Sequence, residues 1–314
     1  MAQTEANGLT LEYEDYGGPA NPPLLLIMGL GAQLTLWPME LVEALVERGF
    51  RVIRFDNRDI GLSHKMEGAR APSMVRHILL RRIGLRPRVP YTLADMAKDA
   101  VGLLDALGIG QAHIVGASMG GMIAQHIAFS APERVLTLTS IMSTTGNPKL
   151  PPAQKAAIDV LTKRPHSLEE AVLVEHGVKI GRTIGSPAYP ADEARLRANA
   201  TRDLRRSFYP SGMPRQLAAI IDDGCRRERL ARVTAPTLVI HGEADPLVPL
   251  PGGQDTAKHI PGARLKIIAG MGHDLPLALL DEIADAIADH VAAASPVLDD
   301  RAALPARVSA GAAR

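Results

Sequence analysis

A single cysteine among 314 residues, Cys225, leaves no partner for an intrachain disulfide and no thiolate cluster for a metal. A reducing compartment is therefore expected, with Cys225 as a small buried side chain. An excess of one charge is missing too, since 35 Lys and Arg face 34 Asp and Glu for a formal net charge of +1. No zinc-finger or RNA-binding signature accompanies the arginines, so nucleic acid is not an expected partner and small-molecule chemistry is. The opening Met1-Ala2-Gln3-Thr4-Glu5 has neither a basic n-region nor an apolar h-region. No signal peptide is read there, and a cytoplasmic location is the expectation. A long uninterrupted apolar run is also lacking. Leu275–Ala294 comes nearest, but Asp281, Glu282, Asp285 and Asp289 break it, and Leu280, Ile283, Ala284, Ile287 and Val291 recur at helical spacing. That pattern describes an amphipathic helix with one stripe to bury.

What is present reads as alternating strands and helices. Leu24-Leu25-Leu26-Ile27-Met28 is a short continuous apolar run ending at Gly29, as in a strand buried on both faces. A helical stretch over Trp37–Arg48 precedes the β-branched run Phe50–Phe55 and the polar turn Asp56-Asn57-Arg58-Asp59. Thr92-Leu93-Ala94-Asp95 starts a helix with a capping box, and Gly108 stops it. Then come a strand over His113–Gly116, a helix over Met119–Ser130 and a strand over Val135–Met142. Thr237–Ile240 and Leu265–Ile268 predict two more strands around a helix near Gln254–Ile260. This rhythm predicts the α/β class, a mostly parallel sheet with helices on both faces. Residues 1–142 and 233–294 form the expected core. Residues 143–232 lack a β-branched run and are expected to form an inserted helical cap, and 295–314 a mobile tail.

Gly116-Ala117-Ser118-Met119-Gly120 matches G-x-S-x-G where a buried strand turns directly into a helix, the setting of a nucleophile elbow. This composition yields about 0.1 such matches by chance, so the placement carries more weight than the pattern. The alternative is a plain serine N-cap. A dinucleotide loop is excluded because Ser118 stands where the second glycine of G-x-G-x-x-G would be, Gly29-Leu30-Gly31 lacks a third glycine, and no phosphate-binding G-x-x-x-x-G-K-[ST] occurs. No cofactor and no metal are expected.

A serine alcohol needs a base and a group to orient that base. Of ten histidines, His273 follows the last strand in the flexible turn Gly270-Met271-Gly272-His273, on the rim where such sheets bind ligands. His113 and His126 fall inside a strand and a helix, and His241 ends its strand in a structural position. Asp245 follows the penultimate strand on the same rim, with Glu243 as its neighbouring competitor. Backbone N–H groups of Leu30 and Met119 are the expected oxyanion donors.

These motifs, together with Met28–Gly31, Arg54–Ser63, His241–Pro249 and Gly270–Pro276, resemble the α/β-hydrolase superfamily over Gly8–Ala294. Within it they resemble the branch of aclacinomycin methylesterase and mycobacterial lipase-like esterases. The resemblance implies the α/β-hydrolase fold, Ser118 as nucleophile, Asp245 as acid, His273 as base, and Leu30 with Met119 as oxyanion donors. Met28 departs from it, since many relatives carry there a histidine that braces the oxyanion loop. Haloalkane dehalogenases and epoxide hydrolases share the fold but use an aspartate nucleophile, which Ser118 argues against.

The expected activity is hydrolysis of a carboxylic ester of a small to medium hydrophobic substrate, with Trp37, Met119, Leu247 and Leu275 as candidate pocket walls. The alternatives are a thioesterase, a phospholipase or lipase at a membrane surface, and a non-catalytic binding protein that keeps the pocket. Residues 65–90 carry Arg70, Arg76, Arg81, Arg82, Arg86 and Arg88 beside Met74, Val75, Ile78 and Leu79. A basic amphipathic helix of this kind could touch anionic lipid. The expectation is instead a solvated helix whose apolar side packs on the cap.

Overall fold

Apolar residues at successive positions of the central strands point to opposite faces, and this alternation builds two cores. The computed structural model describes residues 1–85, 87–163 and 165–303; Arg86 of the basic segment and the end of the expected tail, 304–314, lie outside the described residues. In chain order the elements are β1 (Ala2–Ala6), β2 (Leu9–Tyr16), β3 (Pro23–Ile27), α1 (Met39–Glu47), β4 (Arg51–Phe55), α2 (Met74–Arg82), α3 (Leu93–Ala106), β5 (Ala112–Ala117), α4 (Met119–Ser130) and β6 (Val135–Ile141). There follow α5 (Lys155–Thr162), α6 (Glu170–Ile184), α7 (Glu193–Arg206), α8 (Gly212–Asp223), α9 (Arg227–Leu230), β7 (Thr237–Gly242), α10 (Pro251–His259), β8 (Arg264–Ile268) and α11 (Leu280–Ala303).

The eight strands form one sheet in the order β1-β2-β4-β3-β5-β6-β7-β8. The pairs from β4 to β8 are parallel, and β1 and β2 add an antiparallel edge. Leu25, Ile27, Ile53 and Ile114 face the layer built by α3 and α4; Leu24, Leu26, Val52 and Val115 face the layer built by α1 and α11. This is the period of two that side chains of a strand must follow. The parallel strands end along one edge of the sheet, where Gly29, Ser118, Asp245 and His273 all follow strand termini.

Strands β1 and β2 were not expected from the sequence. The alternation of Leu9, Leu11 and Tyr13 with Thr10, Glu12 and Glu14 was the available signal. The capping box of α3 forms as expected: the Asp95 N–H donates to the Thr92 hydroxyl, and the Thr92 N–H donates to the Asp95 carboxylate at 3.0 Å. Between β6 and β7 lie α5 to α9 and no strand among the described residues. The last helix runs to Ala303, beyond Ser295 where the tail was expected to start; it passes through Pro296, which withholds one backbone N–H, and alanines on both sides favour the helix.

Two further expectations change. Cys225 is exposed, because the adjacent Arg226 takes the buried position, held by Asp223 and Gln125. The basic segment forms α2, but its apolar side chains point outward instead of packing on the insert; the residue that packs inward is His77, fully buried near Asp222 of α8.

Candidate active site

The turn from β5 into α4 holds Ser118 at φ 57°, ψ −119°, a region a side chain seldom occupies, at a cost of about 1–3 kcal/mol. Two features hold it there. The Ser118 N–H donates to the Ile141 carbonyl of β6 at 2.9 Å, and the Ser143 hydroxyl donates to the Ser118 carbonyl at 2.8 Å. Strand and helix also approach so closely that only glycine fits: a Cβ on Gly116 would overlap the Gly120 carbonyl, and one on Gly120 would overlap the Ile27 carbonyl. The spacing of G-x-S-x-G thus follows from backbone crowding. It leaves the Ser118 hydroxyl at the positive end of α4.

From the loops after β7 and β8, Asp245 and His273 complete a hydrogen-bonded chain. His273 Nε2 lies 3.0 Å from Ser118 Oγ, and His273 Nδ1 lies 2.7 Å from Asp245 Oδ2. The second carboxylate oxygen, Oδ1, accepts the N–H groups of Leu247 and Val248 at 2.9 and 2.8 Å. Asp245 therefore has acceptor work on both oxygens and is 4% exposed, whereas the competitor Glu243 is exposed. Because Asp245 accepts, the imidazole proton sits on Nδ1, and Nε2 is left to accept from the serine.

His113 and His126 stand apart from this chain, whereas His241 Nε2 lies 3.7 Å from Asp245 Oδ2. His113 meets Thr137, His126 pairs with Asp223, and His241 donates from Nε2 to the Val248 carbonyl at 2.7 Å. Burial holds His241 below the usual imidazole range, so it braces the Asp245 turn as a neutral ring.

The loop after β3 brings Gly29 beside the serine; a Cβ there would lie 3.1 Å from Ser118 Cβ. The N–H groups of Leu30 and Met119 have no acceptor among the described residues. With methionine at position 28, other groups fix this loop. Asn57 Nδ2 donates to the Met28 carbonyl at 2.9 Å, the Gly31 N–H donates to Gln216 Oε1 at 2.9 Å, and Gln216 Nε2 donates to the Arg58 carbonyl. The Asp56 carboxylate, fully buried, accepts the Leu34 N–H at 2.7 Å and Arg206 Nη1 at 2.7 Å. Asp59 takes a two-pronged ion pair from Arg215 at 2.7 and 2.8 Å. The Asp56–Asp59 turn is thus a junction tying α7 and α8 to the loop after β3.

Ser186 and Asp274 escaped sequence reasoning, which has no means of pairing residues 88 positions apart. The Gly272 N–H donates to Ser186 Oγ at 2.8 Å, Ser186 Oγ donates to Asp274 Oδ1 at 2.5 Å, and the His273 N–H donates to the Ile184 carbonyl at 2.7 Å. Three hydrogen bonds thus tie the end of α6 and the residues just after it to the histidine loop. Burial raises the Asp274 carboxyl, and the Ser186 hydroxyl opposes that. Of the four candidate pocket walls, Trp37 and Met119 are core side chains in opposite layers, while Leu247 and Leu275 are half-buried at the rim.

Comparisons with known proteins agree with this architecture. The chain is 34% identical over 308 residues to rhodomycin D methylesterase DnrP of Streptomyces peucetius, covering 91% of this chain and 96% of that protein. It is 33% identical over 317 residues to rhodomycin D methylesterase DauP of Streptomyces sp. strain C5, with the same coverage. The enol-lactonase of Burkholderia xenovorans LB400 superposes with a TM-score of 0.68 at 24% identity, over 93% of this chain and all of that one. Residues 22–277 match the alpha/beta hydrolase fold family, and the chain belongs to it.

Proposed function

We propose that this chain hydrolyses a carboxylic ester of a small to medium hydrophobic substrate through an acyl-enzyme intermediate on Ser118. The observation that carries the reading is the continuous hydrogen-bonded chain from Ser118 through His273 to Asp245. Ser118 Oγ attacks the acyl carbonyl as its proton passes to His273 Nε2, and Asp245 stabilises the imidazolium and holds the ring. The oxyanion takes the free N–H groups of Leu30 and Met119, each worth about 3 kcal/mol in the transition state. His273 then protonates the leaving alcohol, and a water deprotonated by the same ring releases the acid. The helical insert of residues 143–232 serves as the cap over this rim, with Leu247 and Leu275 at the pocket wall.

Two relatives of nearly full coverage carry the name methylesterase, which makes a methyl ester of an apolar acid the first substrate to test. The experiment compares wild type with Ser118→Ala on methyl and short nitrophenyl esters and on thioesters, beside labelling by a fluorophosphonate. Ester turnover and labelling, both lost in Ser118→Ala, are expected. An unlabelled wild-type serine would leave only a binding role for the site.

A further inference from the structure

Helix α2 is amphipathic in the wrong sense for a helix that only covers a core. At about 100° per residue, Met74, Val75, Ile78 and Leu79 share an arc of about 140°, and all four are exposed, Val75 at 64% and Leu79 at 55%. Just past the helix end Ile83 at 70% and Leu85 at 54% are exposed as well. The opposite side packs on α8 through His77, with Nε2 3.8 Å from Asp222 Oδ1. A surface helix ordinarily hides its aliphatic side chains and shows its polar ones.

The charge along this stretch of chain has one sign. From residue 68 to residue 94 the chain carries six arginines and no Asp or Glu. Arg70, Arg76 and Arg88 are exposed, and none is in an ion pair among the described residues.

We propose that α2 and its flanks dock the protein on an anionic lipid bilayer, the aliphatic side chains entering the acyl boundary and Arg70, Arg76 and Arg88 meeting headgroup phosphates. The charge pattern selects this occupant. A second copy placed face to face would bring arginine against arginine with no acid to pair. A nucleic acid would meet aliphatic side chains with no exposed aromatic to stack on, because Tyr91, the only aromatic residue of that stretch, is buried. Contact is peripheral, since no described helix is long and apolar enough to cross a membrane. Docking would bring the lipid near the insert: α2 packs on α8, and Met213 of α8 lies against Gly31 in the loop beside Ser118.

The test is co-sedimentation of the full chain with vesicles of phosphatidylcholine alone or with about 30 mol % phosphatidylglycerol, where each basic residue near the surface strengthens binding about fivefold. Binding to the anionic vesicles only is expected, weakened by salt. Arg70→Gln/Arg76→Gln/Arg88→Gln should lower it on the order of a hundredfold. Val75→Asp/Leu79→Asp should lower it at least tenfold, and both variants should hydrolyse a short soluble ester as wild type does. Absent binding to anionic vesicles, or undiminished binding by both variants, overturns the proposal. So does a concentration-dependent dimer that Leu79→Asp dissolves, because the patch would then belong to a second copy.

Discussion

Replacing Ser186 by alanine removes one hydroxyl and with it two hydrogen bonds, the acceptor for the Gly272 N–H and the donor to Asp274. Ser186 is 3% exposed, so water does not readily substitute. A neutral bond of this kind contributes about 1 kcal/mol and one to a carboxylate about 1.5–3 kcal/mol, so a loss of about 2–4 kcal/mol is expected. For a chain of this length that lowers the melting temperature by on the order of 4 °C. The functional effect should be separable. The bond from the His273 N–H to Ile184 survives, so the histidine stays in place but its loop loosens. A displacement of a fraction of an ångström between Nε2 and Ser118 Oγ should lower kcat about tenfold to a hundredfold. KM should hardly move, because Ser186 faces the loop and not the pocket rim. The assay is steady-state hydrolysis of a nitrophenyl ester, with the rate of fluorophosphonate labelling as a reading of serine reactivity alone. Both should fall together. A destabilised variant with wild-type kcat would refute the argument, showing that the remaining contacts position His273 unaided.

Asp245→Asn keeps an oxygen for the Leu247 and Val248 N–H groups but turns an amide donor toward Nδ1, forcing the proton onto Nε2; kcat should fall about 10⁴-fold with little change in melting temperature. Burial, with mutual repulsion for the first and the Arg264 charge for the second, pushes His113 and His290 down to about 4 from 6.5. The unfolded chain thus binds protons that the folded chain refuses, so their contribution is complete above pH 6.5 and is lost as pH falls toward 4, by up to about 2.7 kcal/mol per pH unit for the two together. Urea midpoints between pH 7 and 4.5 should show this slope, and His290→Gln should reduce it by about half. Arg215→Met strands the fully buried Asp59 carboxylate and should cost about 3–5 kcal/mol, read as a lower urea midpoint. Asp59→Asn in the same chain should recover part of it; no recovery would mean that the loss comes from packing.

The parallel strands, the helices between them and the three loops of the site were legible because each is local. A continuous apolar run with β-branched residues can only be buried on both faces. G-x-S-x-G records a backbone crossing too tight for a Cβ, and Gly-Met-Gly-His announces its own turn. The order Ser118, Asp245, His273 then follows from one edge of a parallel sheet collecting successive loops. The amino acids alone did not say that Asn57 and Gln216 would hold the loop after β3, where position 28 is methionine. Nor did they pair Ser186 with the histidine loop, or seat Asp56 and Asp59 under arginines more than 140 residues away. These are contacts between side chains whose sequence separation carries no periodic signal, and only packing of the insert on the core selects them. The outward face of α2 belongs to the same class. Its composition permits either orientation, and the tertiary structure decided it by burying His77 against α8 and leaving the aliphatic arc to solvent.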